Sequence, residues 1–158
     1  MAYQHLDEIH SIIIHCSATR DGVWVDATEI DQWHRDRGWS MIGYHRVIRL
    51  DGSVEQGRPY TRRGAHVSGN NQNTIGICMI GGLDSNDKPK NTFTDEQFNT
   101  LMTEIINIRT FCNISQVKGH RDYSPDLNGD GLITPDEWIK LCPCFDVAHK
   151  LKEWRIEI

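Results

Sequence analysis

A chain of 158 residues with 38% apolar and 25% charged side chains has the size of one domain, which buries roughly two-thirds of its unfolded surface. Seventeen basic residues against 22 acidic ones give a net charge of −5, and no basic block interleaves with aromatics, so nucleic acid is excluded as the main partner. The N-terminus has no basic stretch followed by a long apolar core. Its apolar run, residues 12–14, is too short for a signal peptide or a span, so no membrane insertion is expected.

The first predicted element is a short β-branched strand over residues 11–14 that ends at His15. Asp26, with Glu29 three residues on, reads as the N-cap of a helix that carries Ile30 and Trp33 on one face and stops at Gly38. Asp51-Gly52 between residues 44–50 and 53–56 predicts a hairpin. Residues 74–80 form another apolar strand, closed by Gly81-Gly82. Thr94 and Gln97 make a second capping box, and the helix after it places Phe98, Leu101, Met102, Ile105 and Ile108 at three- and four-residue spacing. Residues 116–119 read as a strand that delivers His120 to its end, and residues 145–154 as a closing helix with Val147, Leu151 and Trp154 inward. Strands interspersed with helices predict an α/β fold with a mixed central sheet flanked by helices, in one domain over residues 1–158.

Residues 126–137 spell Asp-Leu-Asn-Gly-Asp-Gly-Leu-Ile-Thr-Pro-Asp-Glu, an EF-hand-like loop. Oxygen donors fall where one Ca²⁺ needs them: Asp126, Asn128 and Asp130, the Leu132 carbonyl, Thr134, and Glu137 as the closing ligand, with Gly131 at the sharp turn. The plainer reading is an acidic surface turn, since Asp-Gly and Asn-Gly are common turn pairs. Residues 120–125 do not read as a helix, so the loop is half an EF-hand at most, and a stabilising role is expected.

Three segments carry residue types suited to a hydrolytic metal site. They are His15 to Thr19 after the first strand, Gly43-Tyr44-His45 before the hairpin, and Gly119-His120 with residues 140–146, which hold Lys140, Cys142, Cys144 and Asp146. Five cysteines, an odd number with no dense framework, fit a reduced compartment or a metal ligand among them. Each segment alone also fits a packed histidine or a buried thiol.

In this order, together with Gln32-Trp33-His34, Gly38-Trp39, Gly64-Ala65-His66 and Asn73-Thr74-Ile75-Gly76, they resemble the zinc-dependent N-acetylmuramoyl-L-alanine amidase family, which takes in phage T7 lysozyme, the type-2 amidases and the peptidoglycan recognition proteins. The resemblance spans residues 11–154. It implies a Zn²⁺ held by His15, His120 and Cys142 with a fourth place open, Tyr44 near the attacking water, and Lys140 at the developing oxyanion. The partner implied is bacterial peptidoglycan, cut at the amide between N-acetylmuramic acid and L-alanine. Synthesis without a signal peptide would then need a separate route to the wall, as for an endolysin of a phage or prophage.

The resemblance also implies that His66 and Asn71 line the substrate groove, where a hydrogen-bonded loop pair is the alternative. Arg63 either meets a stem-peptide carboxylate or stays solvated. Cys144 is a rival to Cys142, Cys16 is expected to point away from His15, and His34 and His45 read as structural. The family's short interval between the second histidine and the cysteine is here filled by the calcium loop. Rival functions are a non-catalytic peptidoglycan-binding module on the same scaffold, a regulatory protein that keeps the scaffold, and a hydrolase with Cys16 or Cys142 as nucleophile.

Overall fold

In the computed structural model, which describes residues 2–158, the isoleucine run forms β1, Ser11–Cys16, buried along its whole length and reaching one residue past His15. A two-residue strand β2, Thr19–Arg20, follows. Helix α1, Ala27–Asp36, starts where Asp26 accepts a hydrogen bond from the Glu29 amide (3.0 Å). Ile30 and His34, one turn apart, are its buried residues, whereas Trp33 is 41% exposed.

The hairpin is shorter than the sequence suggests: β3 is Arg46–Ile48 and β4 is Val54–Gln56, with Gly52 at φ +82° in the turn. Tyr44 and His45 lie outside the regular ladder, although their carbonyls accept from the amides of Arg58 and Gly57 (both 2.9 Å). Next come β5, Thr74–Met79, and β6, Gly82–Leu83. Helix α2, Asp95–Ile108, opens with the expected box: Thr94 Oγ1 accepts from the Gln97 amide (3.1 Å), and Gln97 Oε1 accepts from the Thr94 amide (3.0 Å). Strand β7, Gln116–Gly119, and helix α3, Val147–Glu153, complete the elements that frame the core.

Five strands form one sheet in the order β4-β3-β5-β1-β7, parallel except for β4. Strands buried on both faces read as continuous apolar runs rather than alternating ones, which is the pattern of β1 and β5. On one face Ile12, Ile14, Ile75, Ile77 and Met79 pack against Phe98, Leu101, Ile105 and Ile108 of α2 and Val147 of α3. On the other, Val47, Cys78 and Ile80 pack with Ile30 of α1. The small pair β2 and β6 runs parallel beside the C-terminal ends of β1 and β5. No helix among the described residues is long and apolar enough to cross a membrane.

Candidate active site

The parallel register of β1 and β7 sets Ile14 opposite Gly119, so the next residues, His15 near the end of β1 and His120 just past β7, stand side by side. Their ring centroids are 4.7 Å apart. Cys142 joins them from beyond the inserted loop, and one donor atom from each of the three lies within 4.8 Å of the others. The Cys142 carbonyl accepts from the Arg121 amide (2.8 Å), and its Sγ accepts from the Cys16 amide (3.2 Å). Those two bonds fix the cysteine to both strand ends.

Burial, then the neighbouring His66, His120 and Lys140, holds the His15 imidazole well below its usual range. Burial, with Lys140 second, brings His120 down to about 4. Both rings are therefore neutral near pH 7 and have lone pairs free for a cation. Two imidazole nitrogens and one sulfur are the donor set of an open zinc site, so the residues present fit that metal.

His66 packs edge-on to His15 (centroids 4.9 Å), with its Nδ1 2.8 Å from His15 Nε2. Its Nε2 is 3.3 Å from Thr74 Oγ1, which in turn donates to the Asn70 carbonyl (3.0 Å). Asn71 Oδ1 accepts from the His66 and Val67 amides (2.8 and 2.9 Å), the hydrogen-bonded loop pair given above as the alternative. The exposed Arg63 enters this frame through its carbonyl, which accepts from Arg58 Nη1 (2.7 Å).

Tyr44 stacks obliquely 5.1 Å from His15. Burial, and then the Cys78, Cys142 and Cys16 thiols, push its phenol well above 10, so it stays a hydrogen-bond donor. With Ser17, Ile30, Trp33, His34 and Arg37 it lines a cleft of about 80 Å³ beside the histidines. Lys140 is exposed, yet its charge is felt at both His15 and His120. His34 Nδ1 accepts from the Gly43 amide (2.8 Å) and His45 Nδ1 from the Gly76 amide (3.0 Å), so both rings tie neighbouring backbone together. Cys144 stands apart from the donor cluster, its Sγ 4.0 Å from Cys16 Sγ. The Cys142 contact, and then burial, push the Cys16 thiol up to about 12.

In the inserted loop, Asp126 accepts from the Gly129 and Gly131 amides (both 2.8 Å), and Glu137 reaches back to the Leu127, Asn128 and Thr134 amides (2.8, 3.2 and 2.9 Å). These bonds, led by the one from Thr134, hold the Glu137 carboxyl below its usual range. The loop's carboxylates are thus turned onto its own backbone, and among the described residues they do not form a clustered donor set as the histidines do. Its base is clasped by Ser124 Oγ, which accepts from the Ile139 amide (3.2 Å), and by the Arg121 guanidinium 3.8 Å over the Trp138 ring.

Comparison with known proteins gives the class to which this sheet and its pair of histidines belong. The family model described as N-acetylmuramoyl-L-alanine amidase matches residues 5–131, and the chain belongs to that family. The endolysin of Klebsiella phage KP32 is 35% identical over 147 residues, 93% of this chain and 85% of that protein. The endolysin of Escherichia phage T7 is 33% identical over 152 residues, 96% and 89% of the two chains. Among solved structures, the N-acetylmuramoyl-L-alanine amidase LysC from Clostridium intestinale URNW matches with a TM-score of 0.74 at 24% identity, covering 99% of this chain and 92% of that one, which shows a shared fold. The family match ends at residue 131, so Lys140 and Cys142 lie beyond it.

Proposed function

We propose that this peptidoglycan amidase cuts the bond between N-acetylmuramic acid and L-alanine with a zinc ion held by His15, His120 and Cys142, and that Ca²⁺ steadies the inserted loop. The observation that carries the zinc reading is the convergence of two neutral imidazoles and one thiol at the ends of adjacent strands. Zinc bound by that donor set supplies Lewis acidity, which polarises a carbonyl and makes water nucleophilic near neutral pH.

Within this reading the chain's own groups have separate tasks. His15 would help hold the metal, and the His66 and Thr74 contacts behind it fix the ring's tilt. Tyr44, kept protonated, donates a hydrogen bond to the water or to the departing amine's side of the bond. Lys140 sets its ammonium against the negative charge that grows on the carbonyl oxygen. The cleft with Trp33 and Arg37 receives part of the muramyl peptide.

The calcium reading rests on the oxygen spacing of Asp126, Asn128, Asp130, Leu132, Thr134 and Glu137. Its effect would pass through Trp138 and Ile139 to Lys140 and Cys142. The experiment for the whole proposal is digestion of purified cell walls by zinc-loaded and metal-stripped protein. Free stem peptides with new L-alanine N-termini are expected from the zinc-loaded sample alone. No release from that sample, with zinc stoichiometrically bound, would leave the non-catalytic binding module as the answer.

A further inference from the structure

Three of the chain's five thiols gather where the end of β1 meets residues 142–144. Cys78 and Cys112 belong instead to the two apolar clusters. Cys16 Sγ lies 4.0 Å from Cys144 Sγ, and the Cys144 thiol donates to the Gly82 carbonyl (3.4 Å).

The backbone on both sides is shaped around this contact. At Cys144 it is left-handed, φ +72°, a region that L side chains seldom adopt. Facing it, Gly82 has φ +102°, and a Cβ there would stand 2.8 Å from Cys16 Sγ and 3.7 Å from Cys144 Sγ. The glycine leaves the space that the two sulfurs occupy.

We propose that Cys16 and Cys144 are an oxidation site: a dithiol that closes to a disulfide and ties the end of β1 to the segment carrying Cys142. Bringing the sulfurs from 4.0 Å to the roughly 2 Å of a disulfide calls for side-chain rotation and a small loop adjustment. The oxidant is a low-molecular-weight disulfide such as oxidised glutathione. Cys144, the half-buried partner, attacks one of its sulfurs, forming a mixed disulfide and releasing one reagent thiol. Cys16 then attacks the Cys144 sulfur and expels the second reagent thiol. The protein gives up two electrons and two protons, and the reagent leaves as two thiols.

The bond would join positions far apart in sequence, the kind of link that most constrains an unfolded chain. It would also brace His15 and Cys142 against each other through their neighbours, whether or not metal is bound. The test equilibrates the zinc-loaded full chain across glutathione mixtures, alkylates the remaining thiols, and maps the bonds by peptide mass spectrometry beside thermal melts. A Cys16–Cys144 peptide, two fewer alkylatable thiols and a Tm higher by about 5 °C are expected, all lost in Cys144→Ser. The idea is overturned if five thiols stay alkylatable at the oxidising end, if Cys144 stops at a mixed disulfide, if the bonded pair includes Cys142, or if the oxidised protein melts no higher.

Discussion

Gly76→Ala tests the imidazole brace without touching any proposed metal ligand. Gly76 is clamped, since its amide donates to His45 Nδ1 (3.0 Å) and its carbonyl accepts from the His45 amide (2.9 Å). A methyl group added there would sit 2.7 Å from His66 Cγ and 2.8 Å from its Cδ2 and Nδ1. With the backbone held, the ring must retreat by roughly 1 Å to reach van der Waals contact, and that stretches the 2.8 Å bond to His15 past a useful length. Overpacking costs about 1–3 kcal/mol and a lost buried hydrogen bond about 1 more, while removing a strand glycine returns about 0.5–1. The net loss of ~1–3.5 kcal/mol corresponds to a Tm lower by roughly 2–14 °C. Zinc affinity, read by competition with a chromogenic chelator, should fall about 10- to 100-fold, the usual cost of losing a partner behind a ligand. A variant that binds zinc within about twofold of the parent and melts with it would refute the brace.

Cys142→Ser should lose both stoichiometric zinc and wall digestion, whereas Cys144→Ser should keep its zinc; metal analysis showing the opposite pattern would exchange the two assignments. Calcium at a hundredfold over its dissociation constant should add about 2.7 kcal/mol to the zinc-loaded protein, and chelating it should lower Tm and activity together. Equal melting curves and rates with and without calcium would remove that ion from the account, and Asp126→Ala should erase the response. Burial holds His34 and His45 at about 4 against an ordinary 6.5. Their contribution to stability is therefore complete above pH 6.5 and declines as the unfolded chain takes up protons between about 6.5 and 4. Urea midpoints of metal-free protein should drop across that window, and a flat or rising profile would contradict the burial argument.

Much of this could be read from residues alone, because it depends on local pattern. The Thr94 and Gln97 box, the spacing of Phe98 to Ile108 and the isoleucines of β1 each carry their own signal. The pairing of His15 with His120 was legible only through the family's word order, since their adjacency depends on a strand register that no local pattern states. Other features were not legible. His66 braces a residue 51 positions away, and nothing near it in sequence names that partner. Strands β2 and β6, at two residues each, are too short to show any period. Tyr44 and His45 were read into the hairpin because their neighbours alternate suitably. Their backbone bonds continue the ribbon outside the ladder, with Gly43 pressed against the Ala65 carbonyl too closely for any side chain there. Ser17 and Arg37 carried no signal of their own for the cleft.

The Ile14 and Gly119 pairing has a consequence for folding as well as for chemistry. A slip of one residue between those strands would turn one imidazole to the opposite side of the sheet, and the pair would never meet. Capture of a coloured divalent probe such as cobalt therefore proofreads the sheet: the d–d band can rise only in molecules whose strands have settled correctly. Stopped-flow absorbance during refolding would time that event separately from the general collapse of the chain.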